Sequence, residues 1–142
     1  MKALFSYLLL ICFLFSFSAC QKEPRKGEYK GTFTGNYPDG YHYTTVYYFI
    51  VTQSNKQELR LEEKRSGTIS ALKKHPNDSI SGMIGFAGKI YNPDKDGTAS
   101  FQAVKINGTY KSNTISGTFH TTFTDGNKQY DSTGDFSIIP FW

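Results

Sequence analysis

Clusters of turn-forming residues divide the sequence at short, regular intervals, and this spacing constrains the fold most strongly. The clusters lie at Tyr37–Gly40, Ser54–Asn55, Arg65–Gly67, His75–Asp78, Asn92–Asp94, Ser112–Asn113 and Asp125–Asn127. No segment between them repeats apolar residues with the 3.6-residue period of an amphipathic helix. The chain is therefore expected to be all-β.

These turns separate eight expected strands. They are Gly27–Gly35, Tyr41–Gln53, Gln57–Lys64, Thr68–Lys73, Ser79–Phe86, Thr98–Lys111, Thr114–Thr124 and Lys128–Pro140. Most connections are short enough for hairpins, so we expect antiparallel pairing in chain order. Closing such a meander removes both exposed edges, and we predict an eight-stranded antiparallel β-barrel.

Alternation within the strands predicts which side chains point into the barrel. The expected inward residues include Tyr29, Gly31, Phe33, Gly35, Tyr41, Tyr43, Tyr47, Phe49, Val51, Ile115, Gly117, Phe119 and Phe123. Large residues flank glycines in several of these sets, and such alternation suits the interior of a narrow barrel. We expect a largely filled lumen with at most a shallow aromatic mouth near Tyr37 and Tyr41.

The first residues of the chain follow a different pattern. After the single charge of Lys2, Leu4 to Phe17 is an apolar run interrupted only by serines. The run is shorter than the ~20 apolar residues of a transmembrane helix, and small residues and then a polar stretch follow it. We therefore interpret residues 1–19 as a secretion signal that is removed.

The end of this signal, Phe17-Ser18-Ala19-Cys20, resembles the lipobox of bacterial lipoproteins, with Phe17 where Leu is usual. The resemblance implies that Cys20 is acylated and becomes the first residue. Cys12 leaves with the signal, so the mature chain keeps one cysteine and no intramolecular disulfide. An ordinary secretory signal cleaved near Ala19 is the alternative, and both alternatives export the protein.

Two other short motifs resemble those of Bacteroidota lipoproteins. Gln21-Lys22-Glu23 resembles their surface-export signal, which implies an outer-membrane lipoprotein displayed at the cell surface. Retention on the periplasmic face is the alternative. Asp78-Ser79-Ile80 and Asp131-Ser132-Thr133 resemble the O-glycosylation sequon of that phylum, which implies glycans on Ser79 and Ser132 unless the matches arose by chance.

The sequence Gly27-Glu28-Tyr29-Lys30-Gly31, together with the meander, resembles a lipocalin-type barrel of small envelope lipoproteins. Lipocalins usually carry Gly-x-Trp at this point, where the chain has Gly27-Glu28-Tyr29. The resemblance implies the barrel fold and transfers no ligand-binding residue.

Length and charge limit the function of the mature chain. Without its 19-residue signal it keeps 123 of 142 residues, which we divide into a lipidated tether (20–26) and a single domain (27–142). It then carries 15 Lys and Arg against 12 Asp and Glu, too small an excess to indicate a nucleic-acid partner.

The sequence indicates neither an enzyme nor a cofactor, since it has no nucleophile elbow, phosphate loop or zinc-type spacing. Its three histidines are His42, His75 and His120. Two are expected to point outward from strands and one lies in a turn, so we expect no metal site. Asn92, Asp94 and Asp96 resemble the start of a calcium loop, but Ala103 occupies the position of its bidentate acid, and a polar turn explains them.

Aromatic residues are densest between Tyr37 and Phe49. We expect most of them in the core, and those nearest the turn, Tyr37, Tyr41 and Tyr43, to be candidates for ligand contact. The expected function is a monomeric, lipid-anchored binding or interaction module for a small apolar or glycan ligand or an envelope protein. A structural or inhibitory envelope protein without a small-molecule ligand is the alternative.

Four cations, Lys64, Arg65, Lys73 and Lys74, concentrate positive charge on the third and fourth strands. They could meet anionic lipid headgroups. A solvated hairpin surface, with glutamates interspersed, is the favoured alternative.

Overall fold

A computed structural model describes residues 24–36, 40, 42–92, 97–125 and 128–142. Its strands are β1 (Gly27–Asn36), β2 (His42–Ser54), β3 (Glu58–Glu63), β4 (Ile69–Lys74), β5 (Ser79–Asn92), β6 (Gly97–Lys111), β7 (Thr114–Asp125) and β8 (Lys128–Pro140). Neighbours in sequence pair antiparallel, and β8 pairs with β1 to close the barrel. The predicted eight-stranded antiparallel barrel is confirmed. No helix of the described residues is long and apolar enough to cross a bilayer.

The predicted strand ends agree with the structure to within one residue, with the exception of β5. We predicted that this strand ends at Phe86, but it continues to Asn92. Its register with β6 shifts between Gly85 and Gly88. This irregularity interrupts the period-two alternation by which a strand is recognised in sequence.

The barrel has two ends, which we call lower and upper. The lower end carries Pro24–Lys26, the β2–β3, β4–β5 and β6–β7 turns, and residues 141–142. The β3–β4 turn, by contrast, points toward the upper end. Pro24–Lys26 were expected to be part of the tether, but Pro24 is buried and the Arg25 amide donates to Asn113 Oδ1 at 3.2 Å. The chain is therefore held against the barrel from Pro24 onward.

The side chains that alternate inward form one core. As predicted, Tyr29, Phe33, Tyr43, Tyr47, Phe49, Val51, Ile115 and Phe119 are buried. Tyr41 and Phe123 lie outside the side chains that are described. The other strands add Leu59, Leu61, Leu72, Ile80, Ile84, Phe86, Val104, Ile106, Phe136 and Ile138.

Phe33 lies at the centre of the aromatic packing. Its ring meets those of Phe86, Phe119 and Tyr47 edge-on at 5.3, 5.7 and 6.1 Å, and it stacks on Phe136 at 5.8 Å. Offset and edge-to-face contacts of this kind add stability beyond the apolar area that they bury. The rings come from five strands, so at this level side chains fill the lumen, as the alternation predicts.

Two inward glycines let the wall curl tightly around these rings. A Cβ on Gly35 would lie 2.6 Å from the Tyr43 hydroxyl oxygen. A Cβ on Gly134 would collide with the Thr34 carbonyl oxygen of the neighbouring strand. Side chains at these positions would push the tyrosine or the β1–β8 seam outward.

Truncation of the central ring tests whether the lumen is filled. Phe33→Ala should lower the free energy of unfolding by ~3–5 kcal/mol, and Phe119→Ala by a similar amount, because each leaves a cavity among buried rings. Ile69→Ala, which truncates an exposed residue of β4, is the matched control and should change it by less than ~0.5 kcal/mol. Chemical denaturation measures all three. An unchanged midpoint for Phe33→Ala, together with loss of binding of some ligand, would show a cavity instead.

Candidate functional site

Tyr43 is the one candidate ligand contact whose position the structure describes, and its buried side chain lies in the upper half of the lumen. Its hydroxyl oxygen is 2.7 Å from Ser132 Oγ. Ser132 Oγ donates its single proton to the Asn36 carbonyl at 2.9 Å, so the Tyr43 hydroxyl donates to Ser132. The tyrosine thus ties β2 to β8 and β1. Tyr37 and Tyr41 lie outside the described residues.

The two serines of the glycosylation hypothesis differ in accessibility. Ser132 is 2% exposed and holds the hydrogen bonds just described, which a sugar on Oγ would displace. Ser79 begins β5, is half-buried and donates to the Pro76 carbonyl at the rim of a turn. The O-glycosylation hypothesis is therefore retained for Ser79 alone. Cys20 lies outside the described residues.

The histidines lie apart from one another. His75 Nε2 is 2.7 Å from Ser81 Oγ, and His120 Nε2 is 3.7 Å from Asp131 Oδ1, while His42 is exposed on β2. Within the described ranges, no three His, Cys, Asp or Glu side chains are grouped to hold a metal ion. Asp94 and Asp96, from the calcium-like segment, lie outside those ranges.

The four cations of the β3–β4 hairpin do not form one surface. Lys64 and Arg65 lie at its upper turn, whereas Lys73 and Lys74 end β4 at the lower side. Lys74 is buried, and its Nζ donates to Ser54 Oγ and the Asn55 carbonyl at 3.0 and 2.6 Å. The hypothesis of a shared headgroup-binding surface is wrong, because the hairpin places the pairs at opposite ends.

A gap in the barrel wall is the feature that sequence reasoning missed. β3 and β4 are short, and β2 pairs with β3 only from Phe49 onward. The β4–β5 ladder has two pairs, Lys73 with Ser81 and Lys74 with Ile80. The upper halves of β2 and β5 therefore extend beyond the hairpin between them. Thr45–Tyr48 and Glu63–Arg65 line a cleft of about 400 Å³ here, which we call the notch.

A buried carboxylate makes the floor of the notch rigid. Glu63 is 2% exposed, and its Oε2 accepts from the Ser66 amide and hydroxyl at 2.7 and 2.6 Å, while Oε1 accepts from the Arg65 amide at 3.0 Å. Gly67 completes the turn with φ 68°. The sequence predicts a turn at these residues, but the capping role of Glu63 needs the folded geometry.

Side chains separate the notch from the lumen. The rings of Tyr47 and Phe86 stack at 4.3 Å across the gap between β2 and β5. Ser70 Oγ accepts from the Gly85 amide at 2.9 Å, which satisfies one edge group of β5. The notch is therefore a surface cleft.

The wall of the notch formed by β2 presents an open strand edge. The Tyr48 carbonyl accepts from the Lys64 amide at 2.8 Å, so the backbone groups of Tyr48 point toward β3. Alternate residues of a strand point to the same side, which places the N–H and C=O groups of Val46 and Thr44 on this edge. On this side no strand of the described chain pairs with β2 before Phe49, whereas β1 pairs with its other side. Such an edge is a template for an added strand.

Three inward tyrosines stay neutral phenols at ordinary pH. Burial raises the pKa of Tyr43, and the hydrogen bond to Ser132 offsets this in part. Burial also raises the pKa of Tyr47, and the negative charge of Glu63 adds to the effect. For Tyr29, burial again raises the pKa, against an opposing hydrogen bond to the Arg25 carbonyl.

Comparison of the chain with protein-family models, curated proteins and solved structures finds no match. The site is therefore interpreted from its own geometry.

The raised tyrosine pKa values predict a loss of stability in alkali. Below about pH 10 these phenols are protonated in both states, and above it the unfolded chain releases their protons first. The free energy of unfolding should therefore fall as pH rises past 10, by up to ~1.4 kcal/mol per pH unit for each tyrosine. Tyr43→Phe should reduce this slope. Tyr48→Phe, which alters an exposed tyrosine, is the control, and equal effects of the two substitutions would contradict the prediction.

Proposed function

We propose that the chain is a lipid-anchored envelope lipoprotein, displayed at the cell surface, that binds an extended segment of a partner protein in the notch. The observation that carries this proposal is the open edge of β2 beside a lumen already filled with rings. The bound segment adds a strand to β2, as in other cases of strand addition.

The packed interior argues against a container for a small ligand. A lipocalin-type function requires a lumen wide enough for one ligand, and eight strands leave little room beyond their own side chains. Here Phe33, Phe86 and Phe136 occupy the centre, and Tyr43 adds a buried ring above them. Binding is therefore assigned to the outer surface.

The geometry of the notch fits a peptide backbone. The part of β2 whose outer edge is open, His42–Tyr47, has the length of an ordinary strand. Its outward side chains are polar except for Val46, which is exposed and offers an apolar contact. Arg65 is exposed at the floor, so an acidic residue in the segment would be favoured there.

Anchoring and display rest on the resemblance of the leading residues to lipoprotein signals. Acylation of Cys20 would hold the barrel at a membrane, and Gln21-Lys22-Glu23 would direct it to the outer surface. Ser79 remains a candidate glycan acceptor. A structural or inhibitory envelope protein is the alternative, and it would leave the edge of β2 without a bound strand.

Acylation is tested at its acceptor residue. Mature protein should partition into the detergent phase and carry acyl mass on Cys20, whereas Cys20→Ser should be released into the soluble fraction, because acyl chains add ~0.8 kcal/mol of membrane affinity per buried methylene. Equal partitioning of both forms would exclude the anchor.

Protease added to intact cells tests surface display. The unmodified protein should be digested, and the variant with Ala in place of Lys22 and Glu23 should be protected.

Site-specific crosslinking tests the notch. A photoreactive residue at Thr44 should give an adduct with one partner in cells, and the same residue at Lys105, on a strand paired on both sides, should not. Val46→Pro should remove the adduct because proline lacks the N–H that pairs with the added strand, while a proline at an edge spares the ladder with β1. Thermal unfolding checks that this variant stays folded. Adducts that persist in folded Val46→Pro would refute strand addition.

A further inference from the structure

Large apolar side chains are exposed together on the lower half of the barrel. The described residues expose seven of them, and four lie close to one another: Tyr48, Ile139, Phe141 and Trp142. We call these four the apolar rim. Ile139 and Tyr48 flank Lys30 across three neighbouring strands, and the Phe141 ring lies 5.1 Å from that of Tyr48.

Trp142 is held in place although it is 76% exposed. Its ring meets Tyr29 edge-on at 5.8 Å, and a Cβ on Gly27 would come within 3.2 Å of it. The Phe141 amide donates to the Glu28 carbonyl at 2.9 Å, which continues the pairing of β8 with β1. The indole is thus fixed against the lower end with most of its surface turned outward.

Pro24, the first residue that the structure describes, lies at the same end of the barrel as this indole. Tyr29, which contacts Trp142, donates through its hydroxyl to the Arg25 carbonyl at 2.9 Å, and Pro24 is buried. Four residue steps separate Pro24 from Cys20. Even fully extended they span at most ~14 Å, so an acyl group on Cys20 keeps the lower end close to the bilayer.

Exposed cations surround the same end. They are Arg25, Lys26, Lys56, Lys73 and Lys111. Glu28, the acidic residue nearest the rim, is paired with Lys64 at 2.7 Å. Basic residues within a Debye length of anionic headgroups are attracted to them, and aromatic side chains favour the same interfacial layer.

We propose that the lower end of the barrel is a membrane-contacting surface, with the apolar rim in the interfacial layer and the cations on anionic headgroups. The partner is a lipid surface because the short tether brings this end to one, and the inference rests on the acylation of Cys20 proposed above. Seated in this way, the barrel turns its upper end and the open edge of β2 away from the bilayer, while Tyr48, at the lower corner of the notch, lies on the membrane side.

Trp142 is the only tryptophan of the chain and therefore reports on the contact directly. Acylated protein purified from cells is inserted into vesicles of phosphatidylethanolamine and phosphatidylglycerol, with or without brominated acyl chains. The fluorescence emission of Trp142 should shift to shorter wavelength when the protein is bound to vesicles. Its intensity should fall further when the acyl chains are brominated, because bromine quenches an indole in contact with them. Emission of vesicle-bound protein that stays as in water and unquenched would overturn the contact while leaving the anchor intact.

A second measurement does not depend on the anchor. Cys20→Ser protein should partition onto vesicles that contain phosphatidylglycerol more strongly than onto neutral ones, and Lys26→Ala in that background should weaken this about fivefold, as expected for one cation at the surface. Lys105→Ala, which removes an exposed cation from the middle of β6, is the matched control and should leave it unchanged. Equal losses for the two variants would refute the assigned surface. If Cys20 carries no acyl mass, the proposed anchor fails, and this partitioning still decides the contact.

Discussion

The diameter and closure of the barrel depend on the contacts of the Phe33 ring in its interior. Four aromatic side chains from other strands meet this ring within 6.1 Å, so the strands can close only at a diameter that these rings fill. Glycines such as Gly35 and Gly134 allow the wall to follow the rings closely, because a Cβ there would strike Tyr43 or the neighbouring strand. The barrel therefore closes only when the rings in its core are packed.

The rings around Phe33 fill the described part of the lumen, and the binding surface that we propose therefore lies on the outside of the barrel. The wall is interrupted where β3 and β4 end early, and the stacked rings of Tyr47 and Phe86 stop the interruption from opening the core. The same unequal strand lengths that leave one edge of β2 unpaired also provide a rigid floor, since Glu63 caps the turn below. The notch therefore combines a fixed geometry with free backbone groups, which are the two requirements for strand addition.

The two ends of the barrel differ in chemistry in a way that suits an anchored module. Tyr29 links Arg25 and Trp142 at the lower end, which is also the end nearest Cys20 in sequence. In the upper half, a hydrogen bond between Tyr43 and Ser132 and one from Ser132 to the Asn36 carbonyl link three strands. A molecule held by its lower end presents the notch, on the upper half of its wall, to partners outside the membrane.

The sequence by itself determined the number of strands, their order and the inward positions of residues such as Tyr29, Phe33 and Phe119. These features are local, because turn chemistry and period-two alternation act within a few residues. The tertiary structure alone decided the notch, the burial of Lys74 and the contact of Trp142 with Tyr29 beside Pro24. Each depends on register between strands that closure brings together, and no pattern within one strand carries that information.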